Sequence, residues 1–178
     1  MEVKTNSKTG QILDIMYVLA WVAFIGLMIE AGAIVISYVI SGANPEAARN
    51  LYRGLDFYPL RQYSFWHYTR SVSFLIAISG LKAFVLFLVI KTLSKVNLMN
   101  PFTIEVARII EKISYVLLAI WIIAILNNAQ SGWLLKRTGI FMDERDTGEF
   151  IFMAGLVFII SQVFKRGVEI QSENDLTV

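Results

Sequence analysis

Long apolar runs separated by short polar segments dominate this chain. The runs at Ile15–Ile40 and Val72–Ile90 are each long enough to cross the hydrocarbon core of a bilayer, which takes about 20 residues. The runs at 113–126 and 150–164 reach that length only with some of their flanking residues. We therefore predict four membrane-spanning helices, at residues 13–41, 70–92, 109–130 and 148–166.

The composition supports lipid as the solvent for these runs. Hydrophobic residues make up 56% of the 178 residues and charged residues 17%, whereas soluble domains carry about 25% charged residues. The predicted fold class is all-α, an integral membrane four-helix bundle in a single domain, 1–178, with short interfacial helices in its connections. The first run exceeds the apolar core of a signal peptide, about 7–15 residues, so we expect it to be retained.

Helix punctuation in the polar segments predicts where helices begin and end. Asn44-Pro45-Glu46 is typical of an N-cap with proline at the first helical position, and predicts a short helix ending near Gly54. Asn100-Pro101 predicts the start of the helix that leads into the third span, and 146–149 resembles a capping box before the fourth. Gly167 is the predicted stop of the fourth helix.

The distribution of basic residues bears on orientation. Four spans place both termini on one side of the membrane, and lysine and arginine are nearly balanced between the two sides. Lys91, Lys95, Lys165 and Arg166 lie directly at helix ends on the side of the termini, where the positive-inside rule has most weight. We therefore predict a multi-pass protein of the cytoplasmic membrane with both termini in the cytoplasm.

Two charged residues interrupt the first two spans. Glu30 and Lys82 each lie near the middle of an apolar run, where a charge costs about 2.5–3.5 kcal/mol on insertion scales. In antiparallel helices they would be offset along the axis by about 4–5 Å, which a lysine side chain bridges. We predict an intramembrane Glu30–Lys82 pair. Either it fixes the register of the helices, or it forms part of a proton, ion or ligand site.

The segment after the first span is long and aromatic. "LDFYPLRQYSFWHYTR", residues 55–70, carries rings with interleaved arginines, a composition that suits the headgroup zone of a membrane. An interfacial belt is the simpler interpretation, and a substrate vestibule is the alternative.

Several kinds of chemistry are missing from the sequence. The chain has no cysteine and a single histidine, His67, so a His/Cys metal cluster is excluded and we expect no metal site. No nucleophile–base pair, phosphate loop or paired carboxylates is visible, so we expect neither enzymatic activity nor a cofactor. The net charge of +2 is too small to favour direct binding of nucleic acid.

Two stretches resemble a known family. They are "LKAFVLFLVIKTLSKVNLMNPFT", residues 81–103, and the tail "FKRGVEIQSENDLTV", residues 164–178. Together they are similar to small bacterial four-helix membrane proteins catalogued only as a domain of unknown function. Members share an Asn-Pro-Phe step after the second helix and close with a Glu-Asn-x-Leu-Thr-Val tail.

The resemblance implies no activity, but members are often encoded beside a small helix-turn-helix regulator. By association this implies a non-enzymatic membrane sensor or anchoring partner of a cytosolic transcription regulator, in the inner membrane of a bacterium. The alternatives are a small oligomeric transporter or channel built around Glu30 and Lys82, or a structural subunit of a larger complex. A homo-oligomer is compatible with each.

We also predict that the tail docks, either onto residues 100–112 on the same face of the membrane or onto a cytosolic partner, with a frayed and solvated end as the alternative. The docking residues of the tail are Glu173, Asn174, Leu176, Thr177 and Val178. The residues of the predicted cytosolic loop are Asn100, Pro101, Phe102, Arg108 and Lys112.

Overall fold

A computed structural model of the chain describes residues 8–52, 54–96, 101–140 and 147–175, except for the side chains of 174 and 175. The helices are α1 (Lys8–Ala43), a short 3-10 helix (Pro45–Asn50), α2 (Tyr58–Tyr63), α3 (Phe65–Lys95), α4 (Ile104–Thr138) and α5 (Gly148–Asp175). The predicted all-α fold is confirmed, because four of these helices are long and apolar enough to cross a membrane.

The connection between α1 and α2 follows the predicted punctuation. Asn44 caps the 3-10 helix, and its side-chain oxygen accepts a hydrogen bond from the Glu46 amide at 3.1 Å. The helix ends at Asn50, earlier than predicted, and the turn beyond it includes Gly54. The φ angle of Gly54 is 82°, a conformation that glycine adopts without strain.

The start of α4 differs from the prediction. The N-cap is Thr103, whose hydroxyl accepts a hydrogen bond from the Val106 amide at 3.3 Å, so the helix does not begin at Pro101. Thr103 has the extended backbone conformation of an N-cap residue, and Asn100 lies outside the described residues. The other end of α4 is closed by Gly139, whose φ of 70° and hydrogen bond to the Leu135 carbonyl are typical of a helix terminus.

The predicted helix stop at Gly167 is wrong. The helix α5 continues through this residue to Asp175. A Cβ atom added at Gly167 would lie 2.5 Å from Cδ1 of Phe102. The glycine therefore allows an aromatic ring to pack closely against the helix, and it does not end the helix.

The long helices pack in the order of the chain. The helix α3 lies between α1 and α4, and α4 lies between α3 and α5. We call the end that carries the 3-10 helix and α2 the loop end, and the opposite end, where α1 begins and α5 finishes, the terminal end. The core at the loop end comprises Ile34, Ala48, Leu51, Phe57, Leu60, Tyr68, Val72, Leu75 and Leu134. The core toward the terminal end comprises Ile78, Leu88, Ile109, Ile113, Val116, Ile120 and Ala124.

The helix α1 forms an edge of the bundle. It packs against α3 and the 3-10 helix, and most of its apolar side chains, such as Val22, Ile29 and Ile36, are exposed. Lipid can solvate such a face, which water cannot do over this length. The arrangement fits a multi-pass membrane protein.

Candidate functional site

The aromatic segment predicted as a belt or a vestibule divides between two environments. Phe57 and Tyr68 are buried in the core at the loop end, whereas Tyr63, Phe65 and Trp66 are exposed. The exposed rings suit an interfacial belt. The buried ones hold the short helices onto the ends of α1 and α3.

A chain of neutral hydrogen bonds fixes the buried part. The Ser41 hydroxyl donates to the Tyr38 carbonyl at 2.6 Å, and the Tyr68 hydroxyl lies 2.6 Å from Ser41 Oγ. Because a serine hydroxyl has one proton, Tyr68 is the donor in the second bond. Tyr38 in turn reaches Thr69 Oγ1 with its own hydroxyl at 3.1 Å. The helices α1 and α3 are thus joined at the loop end without a charge.

A groove of about 450 Å³ lies between α3 and α4 at the same end. Its walls are His67, Arg70 and Phe74 from α3, and Leu126, Gln130 and Trp133 from α4. Within each helix these residues are three, four or seven positions apart, so they lie on one face. The helices are antiparallel, which places Trp133 beside His67 and Leu126 nearer to Phe74.

The outer part of the groove is cationic and aromatic. The Arg70 guanidinium donates to His67 Nδ1 at 3.2 Å, which leaves Nε2 as the protonated nitrogen of a neutral imidazole. The imidazole packs between the rings of Tyr63 and Trp133, with centroids 6.0 and 5.4 Å away. The Arg137 guanidinium lies over Trp133 at 5.1 Å. None of the six lining residues is acidic.

The deeper wall of the groove holds a polar group whose hydrogen bonding is incomplete. Gln130 is 8% exposed, and its Nε2 donates to Ser71 Oγ at 2.7 Å. Its Oε1 has no hydrogen-bond partner in the described part of the chain. A buried acceptor without a donor costs about 1–3 kcal/mol. Such a group marks a position where a bound donor would be favourable.

Glu30 lies beside the turn of α3 that carries Lys82. Its Oε1 accepts a hydrogen bond from the Ser79 hydroxyl at 3.1 Å, and Ser79 is buried one turn before Lys82. The Lys82 ammonium lies over the ring of Phe150 in α5, 5.3 Å from its centroid. A direct Glu30–Lys82 pair stays a prediction. Ser79 was not singled out in the sequence, because a serine in a spanning helix is a weak signal.

Ion pairs join the helices at the terminal end. Lys165 of α5 lies 2.6 Å from Glu111 of α4, and Lys95 of α3 lies 2.6 Å from Glu105 of α4. Sequence reasoning placed Lys165 at a membrane exit but missed both glutamates. The available signal was Glu111, an acid just inside the predicted third span, level with bases at the end of the fourth.

The predicted cytosolic loop lies against α5. The Phe102 ring is 5.3 Å from the ring of Phe164 and covers Gly167. The Lys112 ammonium lies 5.4 Å from the centroid of Phe84 in α3. Among the predicted docking residues, Glu173 belongs to α5. The Asn174 side chain and residues Leu176, Thr177 and Val178 lie outside the described part, so docking of the tail stays a prediction.

The described segments contain no group of three His, Asp or Glu side chains that could hold a metal ion. The helices and their contacts define a class of protein: a multi-pass, all-helical membrane protein with a largely apolar groove that carries an arginine and a histidine at one end and ion pairs at the other.

Within this class the chain belongs to the family described as protein of unknown function DUF2975, whose model matches residues 43–178. The groove and the terminal ion pairs lie inside the matched region, and Glu30 lies before it. No curated protein and no solved structure matches the chain.

Proposed function

We propose that this protein is a non-enzymatic membrane sensor or anchoring partner of a cytosolic helix-turn-helix transcription regulator. The observation that supports this most is the continuation of α5 beyond Lys165 and Arg166 to Asp175. The nine residues after Arg166 extend the helix by about 13 Å at 1.5 Å per residue. A helix that leaves the membrane in this way offers a partner an ordered surface.

The exposed groups on this extension suit a protein partner. Ile170 is 46% exposed, and the Arg166 guanidinium donates to Glu169 at 2.6 Å on the outside of the helix. Phe102 adds a partly exposed ring beside Gly167. An apolar centre with charged groups around it is the usual composition of a protein–protein contact.

A route between the two ends supports a sensing role. The helix α4 carries Gln130 and Trp133 in the groove and Glu111 at the terminal end. Glu111 is bonded to Lys165, which lies just before the projecting part of α5. A shift of α4 caused by a bound ligand would therefore be transmitted to α5 through a packed helix and an ion pair.

Binding of a helix-turn-helix regulator, of the kind that the resemblance associates with the family, tests this proposal. The affinity of the purified regulator is measured for the protein in lipid nanodiscs, with and without residues 168–178. We expect the truncation to abolish binding and Ile170→Ala to weaken it. Leu135→Ala is the matched control, because Leu135 is similarly exposed at the opposite end. Failure of the intact protein to bind the regulator would reject the proposal.

Orientation is tested with single cysteines, since the natural chain has none. Cysteines at positions 50 and 143 should react with an impermeant thiol reagent in intact cells, and a cysteine at position 97 should not. The reverse pattern would place α5 and the tail outside and remove the basis for a cytosolic partner.

A small oligomeric transporter or channel is the second candidate. Two observations favour it. The partly buried Glu30 carboxylate, near the middle of α1, accepts a hydrogen bond from the Ser79 hydroxyl. The outer face of α1 is exposed, so a second copy of the protein can pack against it. Loss of one partner from a buried pair costs about 3–5 kcal/mol in soluble proteins, and polar contacts in membranes average less.

Ion flux into proteoliposomes tests this candidate, together with the stabilities of Glu30→Gln, Lys82→Met and the double variant. Flux that depends on Glu30 would support transport. Strictly additive losses of stability would show that the two residues are not coupled.

A further inference from the structure

The groove between α3 and α4 has a polarity gradient along the helix axis. His67 and Arg70 lie at its outer part, and Phe74 and Leu126 line its inner part. The distance from position 67 to position 74 along α3 is about 10 Å. The groove thus changes from cationic to apolar over the length of a lipid headgroup and its glycerol.

The position of the groove in the fold matches this gradient. The helix α3 begins at Phe65, so Arg70 lies within its second turn, and α4 ends at Thr138, five residues after Trp133. Exposed Trp66 and Tyr63 lie at the same level, where aromatic rings are typical of the headgroup zone. The cationic part of the groove therefore lies at headgroup depth and the apolar part in the hydrocarbon.

Two features set the chemistry of the occupant. The Arg70 guanidinium, with His67 Nε2–H and Arg137 nearby, favours a phosphate, since planar guanidinium groups bind phosphate oxygens in pairs. The Gln130 Oε1 lacks a donor and lies in a side chain that lines the groove. A headgroup hydroxyl would supply that donor, after a small displacement of the wall that covers the oxygen.

We infer that this groove is a binding site for an anionic phospholipid, with its phosphate on Arg70 and His67 and an acyl chain along Phe74 and Leu126. The bound lipid comes from the leaflet at the loop end. A soluble phosphate ester would leave the inner wall unused, and a zwitterionic lipid would bring a cationic group to a cationic site. An anionic lipid bound here would also be the signal that the proposed sensor detects, and this role of the lipid rests on the proposed function.

Trp133 provides a direct readout because it forms one wall of the groove. In a variant with Trp21→Phe, Trp66→Phe and Trp121→Phe, the remaining fluorescence comes from Trp133. This variant is placed in vesicles of zwitterionic lipid that contain brominated phosphatidylglycerol or, at equal mole fraction, brominated phosphatidylcholine. We expect stronger quenching by the anionic lipid, with a preference of about tenfold in association constant, because phosphatidylglycerol lacks the choline cation and adds a hydroxyl donor for Gln130 Oε1.

Controls within the chain separate a site from general charge attraction. A variant that keeps only Trp66, an exposed ring at the same depth, should show no such preference. Arg70→Gln should abolish the preference at Trp133, whereas Arg49→Gln should retain it, because Arg49 is an arginine of the same end outside the groove. His67→Gln should reduce the preference, and helical circular dichroism checks that each variant is folded.

Several outcomes would overturn the inference. The inference would be wrong if Trp66 and Trp133 showed the same preference for the anionic lipid, or if Arg49→Gln and Arg70→Gln lost that preference equally. Either result would mean that general surface charge attracts the lipid. Displacement of the lipid by excess inorganic phosphate or glycerol phosphate would reassign the site to a soluble anion. Lipid binding is measured without the regulator, so a lipid preference together with absent regulator binding would reject the proposed function alone.

Discussion

The two ends of the membrane domain hold their helices together by different means. At the loop end, α1 and α3 are joined by Tyr68 and Ser41, and α3 and α4 by Gln130 and Ser71. These groups are neutral and buried. At the terminal end, α4 is joined to α5 by Lys165 and Glu111, and to α3 by Lys95 and Glu105, all of which retain some exposure.

The difference follows from solvation. A charge removed from water costs several kcal/mol unless its partner and further hydrogen bonds replace the lost hydration, whereas a hydroxyl or amide needs only one or two partners. The covered loop end uses neutral groups, and the open terminal end uses charged ones. Mutations of the buried neutral groups at the loop end should therefore have large effects that salt does not change, and mutations of the ion pairs at the terminal end should have smaller effects that salt changes.

The largest effect is expected at Tyr68, a residue of α3 that is fully buried against α1 and the short helices. Tyr68→Ala should lower the free energy of unfolding by about 3–5 kcal/mol, the range for truncated buried aromatic residues. Tyr68→Phe keeps the ring and should cost only about 1 kcal/mol, because Ser41 still donates to Tyr38. Unfolding in mixed micelles, followed by circular dichroism, measures both.

Tyr63→Ala is the matched control for Tyr68, since Tyr63 is an exposed tyrosine of the same segment. It should change stability by less than about 0.5 kcal/mol. Comparable losses in Tyr63→Ala and Tyr68→Ala would show that the loop end is not a packed core.

The next effect is expected at the terminal end, where Phe102 lies over Gly167. Gly167→Ala places a methyl group against the ring, and overpacking of this kind costs about 1–3 kcal/mol. The gain in helix propensity offsets about 1 kcal/mol of this. We expect a net loss of stability in the natural background and a net gain in the Phe102→Ala background. Unfolding of the four variants measures this reversal of sign.

Gly155→Ala is the matched control, because it makes the same substitution in the same helix at a position without a close neighbour. A Cβ atom added at Gly155 has no neighbouring residue of another element within 4 Å. The substitution should be neutral or stabilising. A loss at Gly155 as large as that at Gly167 would attribute both to the helix itself and not to the contact with Phe102.

Apolar length predicted the four spanning helices because burial in lipid depends on composition alone. Contacts between helices depend on how each helix is rotated about its own axis. The apolar residues of α1 lie on all of its faces, so their pattern does not indicate which face meets α3. Sequence spacing therefore placed Glu30 near α3 but did not single out Ser79. Gly167 is predicted as a stop because glycine commonly closes helices, and only the contact with Phe102 shows its actual role. The six residues of the groove come together only through the relative rotation of α3 and α4, so the sequence alone does not indicate that they share a site.

The effects of mutations at the two ends should also differ in their dependence on salt concentration. Lys165→Met and Glu111→Gln should each lower the melting temperature less than Gly167→Ala, and the double variant should lose less than the sum. The losses should shrink as ionic strength rises, because partly exposed charges are screened. Gln130→Met at the loop end breaks the bond to Ser71 and should have an effect independent of salt. Melting curves at low and high salt provide the comparison, and equal salt dependence at both ends would contradict it.

The smallest effect is expected at Glu46, an exposed acid of the 3-10 helix that is paired with Arg49. The hydrogen bond from Arg49 holds the pKa of Glu46 below its ordinary value of 4.5. A carboxyl with a lowered pKa in the folded state adds stability that is complete above its unfolded pKa and is lost as the pH falls through the folded value. Wild type should therefore lose a small stability advantage over Glu46→Gln as the pH falls below 4.5, and the two should differ by a constant amount above that pH. Melting temperatures at a series of pH values from neutral to acidic measure this difference. A difference that persists unchanged in acid would mean that the carboxylate of Glu46 does not stabilise the loop end.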